Sequence, residues 1–187
     1  KYGVELLSSD DEEIIKNRAN KLILLNNKRK KIEQNILDKI DFDKIKKKNE
    51  KIIIYYQNNL NEGLIGIIAA RLKDYFNKPS IVITRSNNFL KASARSTPFF
   101  NIGYLIKSLL KNNIIDNGGG HNMAAGFTMK KTNLKFLYDF IQNNYLKKIS
   151  HINELNQYDI ELSPSAVKTK IMNDINKLGP FGNFNFL

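Results

Sequence analysis

The chain has 187 residues, of which 42% are hydrophobic and 26% charged, an ordinary globular composition with enough apolar mass for a real core. It has no Cys and no Trp, which excludes a disulfide scaffold, a thiol nucleophile and a cysteine zinc site and fits a reducing, cytoplasmic compartment; no apolar run approaches the roughly 20 residues that span a bilayer. The net charge of +12 invites a polyanionic partner, while the joint abundance of Lys, Asn and Ile is also what biased base composition in a genome yields.

In chain order, residues 9–40 read as one long helix: Ser9 and Glu12 form a capping box, acidic residues fill the first turn, and Ile15, Ala19, Leu22, Leu25, Ile32, Ile36 and Ile40 recur near helical spacing. A helix of that length reads as a connector between two bodies, spanning 9–46 with its flank, after a short segment 1–8. The run Lys28-Arg29-Lys30-Lys31 reads as a solvated face or a nucleic-acid contact.

From residue 47 to 150 the pattern is that of a compact α/β domain. Strands are expected at Lys51–Tyr56, Ser80–Thr84, Phe89–Ala94, Ile114–Asp116 and Ala125–Met129, with helices at Gly63–Phe76, Asn101–Leu110 and Thr132–Ile149, the last capped by Thr132. Residues 151–187 are expected to hold a strand from Tyr158, a helix over Ser165–Lys177, and a turn-rich ending at Gly179-Pro180-Phe181-Gly182 that begins a further domain. Because the chain starts at Lys1 and stops at Leu187, it reads as a piece of something longer.

Two places carry chemistry. Gly118, Gly119 and Gly120 run into His121, one of two histidines, and then into small residues. Consecutive glycines are expected where backbone amides approach a ligand or φ is positive, so this stretch reads as an anion-binding nest with an imidazole beside it to donate a hydrogen bond. The second place is Ser93, Arg95 and Ser96. Only five of the thirty basic residues are Arg, and a site that needs a planar fork resists replacement by Lys. Arg95 with Ser93 reads as a phosphate clamp, or Arg95 as a structural ion pair at a strand end. Arg71 and His151 read as solvent-facing. Tyr55, Tyr56, Phe99 and Phe100 read either as core or as base-stacking rings.

The order of three motifs, Glu62-Gly63-Leu64-Ile65-Gly66 through Arg71, then Ala92-Ser93-Ala94-Arg95-Ser96, then Gly118-Gly119-Gly120-His121, resembles the DHH-associated domain of the RecJ single-strand exonuclease family. The capped acidic helix start and Leu178-Gly179-Pro180-Phe181-Gly182 extend the likeness to nearly the whole chain. The chain departs from the family pattern at Leu60-Asn61, where a Trp-His pair is usual, and at Ala92 and Ala94, where glycines are usual. The resemblance implies an α/β, mixed-sheet domain behind a long connector helix, followed by the start of an OB-like domain. It implies a parent enzyme, a metal-dependent 5′-to-3′ exonuclease of single-stranded DNA in repair and recombination, whose Mn or Mg is bound by a lobe outside this chain. The chain itself then has no metal site and no nuclease activity, and its partners are single-stranded DNA and repair or single-strand-binding proteins. By the same resemblance Ser93, Arg95 and Ser96 hold the 5′ phosphate, while Gly118, Gly119, Gly120 and His121 face the scissile phosphodiester. Smaller phosphoesterases of short oligonucleotides or cyclic dinucleotides share the glycine-histidine element, as would a non-catalytic nucleic-acid-binding relative.

Overall fold

In a computed structural model, residues 1–149 and 160–180 are described, with the backbone alone at 145–149. The chain divides into two compact units, Lys1–Ile152 and Asn153–Leu187.

The first unit begins with α1 (Tyr2–Ser8), held to α2 (Glu12–Leu37) by the Arg18–Glu5 ion pair and by the Arg18 guanidinium 5.4 Å from the centre of the Tyr2 ring. The cap of α2 is Asp11, not Ser9: the Asp11 carboxylate accepts from the Glu13 and Ile14 amides at 2.8 and 3.2 Å, and the Ser9 hydroxyl serves only the Asp11 amide. The expected long helix also stops early. It ends at Leu37, and α3 (Phe42–Lys48) starts afresh with Asp41 accepting from the Lys44 amide at 2.8 Å. Two forces break it. Ile40 turns inward to a buried position, and Asp41 satisfies an amide of the next helix better as a cap than within one.

A five-stranded sheet follows in the order β1 (Ile53–Tyr56), β2 (Ser80–Ser86), β3 (Phe89–Arg95), β5 (Ala124–Lys130), β4 (Asn117–Gly120). β1 and β2 are parallel, joined by the crossover helix α4 (Ile65–Phe76); every other pairing is antiparallel. Asn87 adopts φ 52° in the two-residue turn between β2 and β3, a conformation that Asn tolerates and β-branched residues do not.

Side chains alternate across this sheet and build two cores. One face carries Ile54, Ile81, Ile83, Leu90, Ala92, Ala94, Phe127 and Met129, and packs against α5 (Ile102–Lys111) and α6 (Leu134–Ile149). The other carries Ile53 and Val82 and packs against α4, with Ile36, Leu37, Phe42 and Ile45 of α2 and α3 beyond it. Leu105, Ile106 and Leu109 of α5 are fully buried; each contributes about 1.5–3 kcal/mol of transfer free energy. Ala92 and Ala94 face this core, so at these two positions a methyl group is packing material.

Three boundaries differ from expectation. Ile114 and Ile115 are buried but form a bend, and the strand is the glycine run itself, Asn117–Gly120. Thr132 lies in a 3-10 turn, Lys131–Asn133, with its hydroxyl 3.3 Å from the Asn133 side chain, and α6 begins only at Leu134. In the second unit Pro164–Ala166 forms one 3-10 turn and α7 runs Thr169–Asn176, later than expected because Pro164 and the extended Lys168 delay it. Residues 160–163 form no strand; Tyr158, His151, Phe181 and Gly182 lie outside the described residues, as does most of the expected further domain.

Candidate functional site

β4 contains no side chain beyond Asn117, and no glycine in the described chain has positive φ. The run is therefore an edge strand, not a nest, since a nest needs alternating left-handed residues. What the glycines provide is room. A Cβ on Gly120 would lie 2.4 Å from the Ala125 Cα, and one on Gly118 would lie 2.8 Å from the Phe127 Cβ and 2.9 Å from the Ile106 Cγ2. Gly103 of α5 is glycine for the reciprocal reason, as its Cβ would meet the His121 carbonyl oxygen at 3.0 Å. Gly118 and Gly120 thus let the hairpin close and α5 settle on it.

Gly119 is different: nothing stands within 4 Å of where its Cβ would be. It faces the other side of the sheet, the side that carries Ser93 and Arg95. The register puts Gly119 opposite Gly126 and Gly126 opposite Ser93, one rung of three strands; the next rung is Arg95 opposite Ala124, with His121 across from Ala124 through its amide at 2.8 Å. With strands about 4.8 Å apart, the Arg95 and His121 backbones stand roughly 10 Å from each other. On this side α4 reaches only as far as β3, where Gly66 lets it approach: a Cβ there would be 3.0 Å from Arg95 Nη2 and 3.1 Å from Ser93 Oγ. Over β5 and β4 the face is floored by Ala124, Gly126, Thr128, Asn117 and Gly119, all partly or fully exposed.

Arg95 is anchored without being neutralised. Its Nη1 donates to Ser93 Oγ at 3.1 Å and to the Ala94 carbonyl at 2.8 Å, and among the described residues no carboxylate pairs with it. A guanidinium held by neutral acceptors keeps its full charge and several donors for an anion. Together with Arg71, Gly63, Gly66 and Ala70 it lines a cleft of about 320 Å³. His121 lines a second cleft of about 190 Å³ with Asn101, Tyr104 and Lys107.

Not every expected site residue joins this group. Ser96 is 1% exposed, its hydroxyl donates to the Phe100 carbonyl and its amide to the Met123 carbonyl, so it ties the β3 exit to the β4–β5 turn. Gly118 and Gly120 face α5. Arg71 faces solvent, as expected, but is also bonded: its Nε donates to Glu33 at 2.8 Å, and Arg29 reaches the other oxygen at 2.8 Å. Glu33 is 5% exposed, and the Arg71 hydrogen bond, reinforced by Arg29, holds its carboxyl below the usual range. This triad fastens α2 to α4. Lys28, Lys30 and Lys31 remain exposed. Tyr55, Tyr56 and Phe100 are partly buried against the two cores, whereas Phe99 is exposed. Phe89 went unmarked in the sequence, although its place in an alternating strand with Leu90, Ala92 and Ala94 facing inward already put it outside the core.

Residues 49–147 match the family model of the DHHA1 domain. Over 190 residues the chain is 30% identical to the single-stranded-DNA-specific exonuclease RecJ of Bacillus subtilis (strain 168), covering 98% of this chain and 24% of that protein. The RecJ of Escherichia coli (strain K12) is 26% identical over 191 residues, covering 96% of this chain and 33% of that protein. The chain therefore spans a quarter to a third of the length of these curated relatives. Among solved structures, RecJ from Thermus thermophilus in complex with Mn2+ shares the fold, with a TM-score of 0.76 at 20% identity over 99% of this chain and 27% of that one. The same protein in complex with Mg2+ gives 0.73 at 19% identity, over 99% of this chain and 29% of that one.

Proposed function

The chain belongs to the DHHA1 domain family, and on that premise we propose that it is the substrate-binding part of a RecJ-like, metal-dependent 5′-to-3′ exonuclease of single-stranded DNA that serves repair and recombination in the cytoplasm. The single observation that carries this reading is Arg95, anchored by Ser93 and Ala94 yet unpaired with any described carboxylate, at the edge of an exposed floor of small residues. Arg95 and Ser93 take the 5′-terminal phosphate. The Gly119–Gly126 floor lets the backbone of the strand lie close to the sheet, because no Cβ stands in its way. His121 sits two strands away and donates a hydrogen bond to the phosphodiester being cut, opposing the charge that grows on it.

The described residues hold no group of three or more His, Cys, Asp or Glu that fits a divalent cation. In this reading the metal-assisted attack on phosphorus belongs to the remainder of a RecJ-like parent, of which this chain spans a quarter to a third, and the chain alone is expected to cut no DNA. Single-strand-binding and repair proteins are the partners that such an activity implies.

Fluorescence anisotropy of labelled oligonucleotides tests the clamp. Arg95→Ala is expected to weaken binding of a 5′-phosphorylated strand about 10- to 100-fold, as for loss of a charge-assisted contact, and to leave the 5′-hydroxyl strand unchanged. Equal binding of both strands by both proteins would refute the clamp.

A further inference from the structure

Two cations without a described carboxylate partner mark the ends of the open sheet face. Arg95 is one; the other is Lys130, at the far end of β5, directly opposite Phe89. Between them Lys91 is already matched, its Nζ 3.0 Å from Glu62 Oε2, whereas no described carboxylate pairs with Lys130. Phe89 is 48% exposed. Leu90, Ala92 and Ala94 turn to the α5 and α6 core, so alternation puts Phe89 on the same side as Lys91, Ser93 and Arg95. Ile53 and Val82 on that side lie under α4 over β1 and β2, whereas over β3, β5 and β4 it carries, apart from Phe89, Ser, Thr, Gly, Ala, Asn, Lys and Arg. A large ring left on it adds nothing to either core.

We propose that Phe89 and Lys130 form a distal subsite for single-stranded nucleic acid, the ring stacking on a base and the ammonium contacting a phosphate. The inference rests on the reading of this face as the strand-binding one, and it names the length of strand the face is built for. Six residues separate Phe89 from Arg95 along β3, about 20 Å at 3.4 Å per residue. A stacked strand covers that span with about six nucleotides, and an extended one with fewer. A dinucleotide held at Arg95 cannot reach Phe89; an oligonucleotide can. The ligand is thus a single strand several nucleotides long, with little preference for sequence, because every base has a face to stack.

The 187-residue chain is titrated with labelled, 5′-phosphorylated oligothymidylates of two and eight nucleotides. The parent is expected to bind the octamer at least about fivefold more tightly than the dimer, the lower range for one stacked base. Phe89→Ala should bring the two within about twofold by weakening the octamer alone, Phe89→Tyr should restore the gap, and Lys130→Gln should lower the salt dependence of octamer binding by about one unit of slope. An undiminished length gain in Phe89→Ala overturns the proposal. The clamp is judged separately on the dimer: if Arg95→Ala leaves dimer binding intact while Phe89→Ala still erases the length gain, the clamp fails and the distal subsite stands.

Discussion

Gly119 and Gly120 are neighbours of identical type, yet an alanine at each should act in opposite directions. At Gly120 the new Cβ falls 2.4 Å from the Ala125 Cα and 2.5 Å from the Ala124 carbonyl oxygen. Those are backbone atoms of the paired strand, so no rotamer change relieves the overlap, and β4 must move off β5. Overpacking of this kind costs about 1–3 kcal/mol, partly offset by the about 0.4–1 kcal/mol that alanine gains by narrowing the unfolded ensemble. At Gly119 the added methyl meets nothing within 4 Å and φ is not positive, so the unfolded-state gain stands alone. Urea unfolding followed by far-ultraviolet circular dichroism should therefore place Gly119→Ala at or slightly above the parent, and Gly120→Ala about 2 kcal/mol below Gly119→Ala. Gly118→Ala should fall between them: its new Cβ meets the Phe127 Cβ at 2.8 Å, which no rotamer change moves, and an Ile106 methyl at 2.9 Å, which can shift, both looser than the 2.4 Å overlap at Gly120. If Gly120→Ala matches Gly119→Ala, the glycines are not there for interstrand space and the account of β4 is wrong.

Two further substitutions test the frame around the site. Glu33→Gln should cost about 1–3 kcal/mol near neutral pH, since two arginines lose a charged acceptor. Because the folded carboxyl titrates below its ordinary value, this stabilisation is complete above the unfolded pKa of about 4.3 and disappears as pH falls through the lower folded value; the gap between parent and variant in urea melts must close in acid. Tyr138 donates to the Ile54 carbonyl at 3.1 Å, and burial pushes its hydroxyl up to about 12. Its contribution is complete below the ordinary value of 10.0 and fades as pH rises toward about 12, so Tyr138→Phe should cost about 0.5–1.5 kcal/mol at neutral pH and delete a late-ionising tyrosine from an alkaline absorbance titration.

Much of the α/β frame is legible in the chain because its signals are local. The Ile52–Ile54 run, Pro79 and the Asn87-Asn88 turn each announce an element through their own chemistry. The glycine run is not legible in that way. A strand without side chains has no period to read, and Asn117–Gly120 becomes one only through pairing with β5 and contact with α5, both decided elsewhere in the chain. Arg71 and Glu33 lie 38 residues apart, so their ion pair follows from tertiary packing alone. Ser93 and Arg95 were recognisable as a pair from their chemistry, a hydroxyl beside a guanidinium; that they share a face follows from β3 running on to Arg95, and that Ser96 points inward required the β3 exit to be seen bonding to Phe100 and Met123. The helix break at Asp38–Asp41 was hidden by an apolar spacing that suits one helix as well as two.

The Glu33 triad gives α2 a mechanical meaning. Its last third packs on the second core, through Ile36 and Leu37, and is pinned by Arg71. From Glu33 back to Glu12 the helix runs about 32 Å at 1.5 Å per residue. It is a lever with its pivot in one ion pair on α4, the helix whose Gly66 rests beside Arg95. A tilt of about 5° at the pivot carries the Glu12 end through about 3 Å by the same geometry. The α1 helix, held to that end by the Arg18–Glu5 pair, has its distance from the Arg95 guanidinium set at Glu33, so slackening one carboxylate would shift residues a helix length away.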